Sequence, residues 1–222
     1  MKNHTDITIL LDATGSMHNI QDDVVGGINE FIQDQKSAGS NASLTLVLFN
    51  ERFPCHIIYD AVPIDQAGEF TTYCPMFSTP LLDSMGNMIT KTGKRLADMP
   101  EDDRPDKVLF VVYTDGLDNI SIEYTKEKIK SMVVEQQEKH NWIFMFMGAD
   151  IDAIHEGASC GVPLYSTVNT SKNRLSHGIK LCSSKIGIFR ESNDSTVLCF
   201  TDDERDELSQ PTKLSVDEQI AL

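Results

Sequence analysis

Asp12, Thr14 and Ser16 stand at alternate positions in Asp12-Ala13-Thr14-Gly15-Ser16, so an extended backbone presents one carboxylate and two hydroxyls to the same side. Such oxygens suit a hard cation. Two further loops carry similar chemistry: Ser78 and Thr79 precede Pro80, and Asp115 follows the apolar run Val108 to Tyr113. No one loop makes a site alone, so the reading requires a fold that brings three connections together. Each residue also has an ordinary explanation. Asp12 or Ser16 could cap a helix, Thr79 could cap the helix that Pro80 opens, and Asp115-Gly116 could be a plain turn.

Other chemistries find less support. His18, His56, His140, His155 and His177 lack zinc-ligand spacing, and the five cysteines (Cys55, Cys74, Cys160, Cys182, Cys199) include no C-x-x-C pair. An odd, scattered set of thiols fits a reducing cytoplasm. No G-x-x-x-x-G-K run and no Ser, His and Asp triad motif occurs. Asp150 and Asp152, at another strand end, fit a helix cap better than a second cation site.

The elements that must position these loops can be read from hydropathy. Ile7–Leu11, Val108–Tyr113 and Trp142–Met147 are continuous apolar runs of the kind buried on both faces of a parallel sheet. Leu44–Phe49 and His56–Tyr59, separated by the short break Asn50-Glu51-Arg52, predict an antiparallel hairpin. Leu164-Tyr165 is read as a short last strand. Helical spacing appears from Ile20 to Phe31 and Ile32, ending near Ala38-Gly39 with Gly39 as a left-handed cap. It appears again from Leu81 to Leu96, at Ile129, Met132 and Val133, and from Leu175 to Phe189. Gly26-Gly27, costly inside a helix, implies close packing on the sheet. Alternating strands and helices predict an α/β fold with a doubly wound, mostly parallel sheet, one antiparallel edge strand and helices on both faces.

The 222 residues carry 19 Lys and Arg against 34 Asp and Glu, a net charge of −15. That balance repels phosphate backbones and anionic membranes, so neither nucleic acid nor a membrane is an expected partner. No apolar run reaches the roughly 18 residues that would span a bilayer. Met1 to Asp6 leads into a strand without a signal-like segment, and a cytoplasmic location is expected. Residues 1–190 form the expected domain, and 191–222 an acidic C-terminal extension, partly disordered, with a mobile tail from Asp202.

With D-A-T-G-S after the first strand, S-T-P-L-L-D later and T-D-G after a buried strand, the chain resembles the von Willebrand factor type A domain. The resemblance runs from about Thr5 to Asp150, more weakly to Phe189, and looks closest to small, stand-alone bacterial and phage members. It implies six strands in the order 3-2-1-4-5-6 and a metal-ion-dependent adhesion site whose five ligands correspond to Asp12, Thr14, Ser16, Thr79 and Asp115. Thr14 stands where the family usually has Ser; the hydroxyl is kept and a methyl is added. In the family the first-loop hydroxyls bind the ion directly, the distant Thr does so in some states, and the aspartates often act through water.

The resemblance implies Mg²⁺, with Mn²⁺ or Ca²⁺ as possible occupants, and a protein partner that presents an Asp or Glu to the ion. An ion held mainly by neutral hydroxyls keeps much of its charge and favours an anionic further ligand. The chain is expected to bind protein and not to be an enzyme. Two alternatives are a Mg²⁺-dependent phosphate-ester hydrolase using Asp12 as nucleophile and a regulatory module with a vestigial metal site. The first lacks the second Asp that haloacid-dehalogenase-like phosphatases place two residues on, where Thr14 stands. Five side chains pointing apart, or a lysine ammonium plugging the pocket, would count against a cation site.

Overall fold

A computed structural model describes residues 3–210. Its strands are β1 (His4–Asp12), β2 (Asn41–Phe49), β3 (His56–Pro63), β4 (Lys107–Thr114), β5 (Ile143–Ala149) and β6 (Thr167–Thr170). Its helices are α1 (Gln21–Ser37), α2 (Leu81–Asp98), α3 (Lys126–His140), α4 (Ala153–Ser159), α5 (Leu175–Ser192) and α6 (Asp202–Ser209). The strands form one sheet in the order β3-β2-β1-β4-β5-β6, parallel except for the β2–β3 pair. This is the α/β architecture expected from the alternation of strand and helix.

Every residue of β1 and β4 is buried, as their apolar runs require. Ile7, Ile9 and Leu11 of β1 pack towards α1 and α5, whereas Leu10 and the β4 residues Phe110 and Val112 pack towards α2 and α3. The two central strands pair in parallel with Leu11 opposite Tyr113, so Asp12 and Asp115 leave adjacent strand ends. The chain crosses from β1 over one face and from β4 over the other, which makes this the topological switch point.

Several local expectations are corrected. Leu164-Tyr165 belongs to a 3-10 turn, Leu164–Ser166; the sixth strand is the following Thr167–Thr170, a polar edge strand with no apolar run to announce it. Gly39 is not a left-handed cap: α1 stops where Ala38 turns extended. A Cβ on Gly27 would lie 3.3 Å from Ile179 and Ser176, so the small residue admits α5 and not the sheet, while Gly26 faces open space. The first loop does not run straight into α1, because a 3-10 turn, Gly15–Ile20, intervenes.

The tail from Asp202 is not simply mobile. Thr201 and Glu204 form a reciprocal capping box at the start of α6, and Leu198, Phe200 and Leu208 are buried in the same core as β1 and α5. Residues 211–222, the remainder of the expected extension, lie outside the described residues.

Candidate metal centre

All five sequence-predicted residues sit at the carboxyl end of the sheet, and four of them are joined by direct contacts. Asp12, wholly buried at the end of β1, accepts the Thr14 backbone N–H on Oδ1 at 2.8 Å and the Thr114 hydroxyl on Oδ2 at 2.6 Å. The Thr14 and Ser16 hydroxyls are 3.2 Å apart, and Ser16 Oγ donates to Asp115 Oδ1 at 2.5 Å. Asp12 therefore organises the loop while Thr14, Ser16 and Asp115 line it up across two strands. Burial pushes the Asp12 carboxyl up to about 6; the Thr114 and Thr14 hydrogen bonds oppose the rise and the Asp115 charge adds to it.

Thr79 joins from a third connection. Its hydroxyl oxygen lies 3.0 Å from the position a Cβ on Gly116 would take, so it rests on the residue next to Asp115, and glycine is what permits that approach. Thr79 N donates to Asn119 Oδ1 at 2.9 Å and Asn119 N returns to Thr79 O at 3.1 Å, tying the α2 entrance to the loop after β4. Asp83 extends the tie, accepting from the backbone N–H groups of Ile122, Glu123 and Tyr124.

The ordinary explanations do not hold for three of these residues. No side chain caps α2 from Pro80, and its first-turn donors Leu82 N and Asp83 N are taken by Asp118 Oδ1 at 3.1 Å and Ser121 Oγ at 2.9 Å. The Thr79 hydroxyl is thus not spent on the helix. The turn after Thr14 and α1 itself likewise lack side-chain caps, so neither Asp12 nor Ser16 serves as one. Asp152, by contrast, does cap α4 through His155 N at 3.0 Å.

One further charge reaches the cluster. Lys172, at the start of a 3-10 turn after β6, places Nζ 2.8 Å from Asp115 Oδ2 and 3.4 Å from the Ser16 carbonyl oxygen. The Asp115 side chain is fully buried and that of Lys172 is 30% exposed. No donor is aligned on Oδ2 in hydrogen-bond geometry, although the ammonium is within ion-pair distance. The contact satisfies charge without hydrogen-bond alignment. The ammonium thus sits against two of the five residues, a contact of the kind that counts against a cation site.

Sequence reasoning missed two members of this arrangement, Thr114 and Lys172. Thr114 directly precedes Asp115, and its hydroxyl could have been noticed there. Tyr73, whose hydroxyl donates to the Asp12 carbonyl oxygen, comes from the segment that leads to Ser78 and Thr79, whereas Lys172 comes from a segment that nothing in the local pattern connects to the site. Among the described residues no group of three His, Cys, Asp or Glu is placed to hold a metal, so a cation here depends on the hydroxyls. That donor set is hard and suits a divalent cation that takes oxygen ligands.

Sheet order and strand directions are those of the von Willebrand factor type A fold, and solved structures of that fold match the chain. Proximal thread matrix protein 1 from the mussel byssus, with a zinc-occupied MIDAS motif, aligns with a TM-score of 0.59 at 16% identity, covering 83% of this chain and 46% of that one. Manganese-loaded Plasmodium vivax TRAP protein aligns with a TM-score of 0.53 at 16% identity, over 79% of this chain and 71% of that one. The vWF domain of the type V pili tip protein Mfa5 from Porphyromonas gingivalis gives 0.58 at 10% identity, over 83% and 95%. The chain spans under half the length of the mussel protein. No protein-family model matches the sequence, and no curated protein matches it. At these identities the likeness establishes the fold.

Proposed function

We propose that the chain is a divalent-cation-dependent protein-binding module, with Asp12, Thr14, Ser16, Thr79 and Asp115 holding Mg²⁺ and a partner protein supplying an Asp or Glu. The observation that carries this reading is the chain of contacts from the Asp12 carboxylate to the Thr14 backbone N–H, and from the Thr14 hydroxyl through Ser16 to Asp115, with none of these side chains spent on a helix cap. A bound Mg²⁺ would supply a concentrated positive charge to which a carboxylate can attach. Thr14 and Ser16 would offer neutral oxygens and so leave that charge largely uncancelled. Asp12 and Asp115 would fix the loops and hold the intervening water. Mn²⁺ or Ca²⁺ could take the same place.

The surroundings fit a partner with apolar residues beside its carboxylate. Phe53, Met76, Phe77, Leu117 and Ile120 are exposed on loops stitched to the site. Met76 N bonds to Ala13 O, Gly15 N to Phe77 O, and Glu51 N to Ser78 O. A cavity of about 200 Å³, lined by Ala13, Arg52, Phe53, Cys74, Met76 and Phe77 among others, opens beside the first loop. It is of a size to admit one apolar side chain, with Arg52 at its wall.

The hydrolase reading is disfavoured by Asp12 itself: both carboxylate oxygens already accept hydrogen bonds and the side chain is buried, so no face is open to attack a phosphate. Turnover of an aryl phosphate that Asp12→Asn abolishes would reverse that judgement. A vestigial site is the second reading, and the Lys172–Asp115 pair is what favours it. Among the described residues all five cysteines are free and no helix is long and apolar enough to cross a membrane. A cytoplasmic setting is part of the proposal and rests on those thiols.

Titration calorimetry with Mn²⁺ and Mg²⁺ on the wild type and on Ser16→Ala tests the function. Saturable heat at one site in the wild type, lost in a folded Ser16→Ala protein, is the expected result. Equal or absent heats in both would leave the vestigial reading in place.

A further inference from the structure

We infer that Lys172 is a tethered counter-cation of this site, which holds Asp115 when no ion is bound and gives way to a divalent cation when one is. The inference rests on the proposed function and concerns the regulation of that same site.

Asp115 is a buried carboxylate with one oxygen satisfied by Ser16 and the other facing only the Lys172 ammonium. A buried anion needs a compensating positive charge, and the chain itself supplies one. The way it does so is loose. The ammonium lies 2.8 Å from Oδ2 but without hydrogen-bond alignment, its second contact is a 3.4 Å bond to a backbone carbonyl, and its side chain is partly open to water. An ammonium and a divalent ion on the same carboxylate would repel each other, and the solvent-facing side of Lys172 gives it a route out.

The placement of Lys172 gives the exchange a consequence beyond the site. Its backbone N–H donates to Asp150 Oδ1, the neighbouring Ser171 N donates to Leu208 O, and Arg174 Nε donates to Gln210 O. The turn that carries the ammonium is therefore also the seat of the end of α6. Releasing Lys172 from Asp115 removes one tie of the turn to the site and leaves these backbone and side-chain bonds to hold it.

In such an exchange the apparent cation affinity is the intrinsic affinity reduced by the fraction of molecules in which Lys172 has withdrawn. Removing the ammonium removes that reduction. Calorimetric titration with Mn²⁺ alone is the test, on wild type, Lys172→Met and Lys172→Arg, with a thermal melt of each protein free of ions. Lys172→Met is expected to bind Mn²⁺ about fivefold more tightly or better, by the worth of one partly exposed ion pair. The same variant melts lower than wild type without ions and gains more on adding Mn²⁺, whereas Lys172→Arg keeps the competing charge and shows no gain in affinity. In wild type, hydrogen exchange at 171–174 rises on adding Mn²⁺. Equal Mn²⁺ affinity in wild type and Lys172→Met would overturn the exchange while leaving the metal site standing. Absence of Mn²⁺ binding in both folded proteins would overturn the metal site and the exchange together, leaving a permanent Lys172–Asp115 pair. Should Lys172→Met not fold, Lys172→Gln and the wild-type hydrogen-exchange measurement decide the matter in the same terms.

Discussion

Asp12 shows how one side chain sets a loop. Its two oxygens serve one donor in the loop after β1 and one at the end of β4, and the Thr114 hydroxyl also bonds to Gly116, so the end of β4 and the end of β1 are fixed to one another through a carboxylate. Asp12→Ala strands the Thr14 N–H and loosens Thr114, and is expected to cost about 1–3 kcal/mol in a denaturant melt. Asp12→Asn keeps an acceptor for Thr14 and a donor for Thr114, which can rotate, and is expected to cost under about 1 kcal/mol while still abolishing Mn²⁺ heat. If both variants bound Mn²⁺ like wild type, Asp12 would have no part in the site. At the far end of β1, His4 is buried, with Nε2 3.1 Å from Ser43 Oγ. Burial lowers its proton affinity, with Asp6 acting the other way. Its folded state therefore favours the neutral ring: the associated stability is complete above the ordinary value of 6.5 and is lost as pH falls below it. His4→Gln should flatten the stability profile in that window, and an unchanged slope would show that another group carries it. The proposed ligand residues were legible because their spacing sits in short motifs. Lys172 was not, since a side chain arriving from another strand end leaves no trace in the motif it touches.

Helix α2 divides its dependence between its own sequence and a distant loop. Leu81, Leu82, Met85, Ile89 and Leu96 are buried, as their spacing required, yet its amino end is completed by Asp118 and Ser121 from the loop after β4. Thr79-Pro80 looks like a cap in sequence, and only the packed structure shows the cap coming from elsewhere. Substitution separates the two roles. Asp118→Ala, far from α2 in sequence, should destabilise the fold by about 1–2 kcal/mol, as the loss of a helix cap does. Thr79→Ala should cost less than that in melts while lowering Mn²⁺ affinity, and Thr79→Ser should restore it. The reverse ranking would make Thr79 a structural cap. Continuous apolar strands were readable for the same reason as the α2 face: burial on both sides demands them. The edge strand β6, Thr-Val-Asn-Thr, escaped because an edge does not make that demand.

Across the full domain, the decisive feature is how α5 and α6 lock onto the sheet. Arg190, fully buried, donates to the Gln35 and Ser40 carbonyl oxygens and to Gln35 Oε1, and Gln35 Nε2 in turn bonds to Ser183, so α1 and α5 are clamped through polar groups behind the apolar core. Leu208 anchors α6 in the core shared by β1, β4 and α5. Leu208→Ala should cost about 2–5 kcal/mol by calorimetry if 195–209 folds as part of the domain, and almost nothing if that stretch is a loose appendage. Composition pointed to the appendage, because Asp202 to Ser209 is mostly charged. One buried leucine and a capping box outweigh that composition locally.

The proposed function stands or falls with the convergence of oxygens from three connections on one divalent ion. Anomalous diffraction from crystals grown with Mn²⁺ is the decisive measurement. The expected result is a manganese peak about 2.1 Å from the Thr14 and Ser16 hydroxyl oxygens, with the Lys172 ammonium withdrawn from Asp115. An ordered site with no peak there and Lys172 still paired to Asp115 would contradict it.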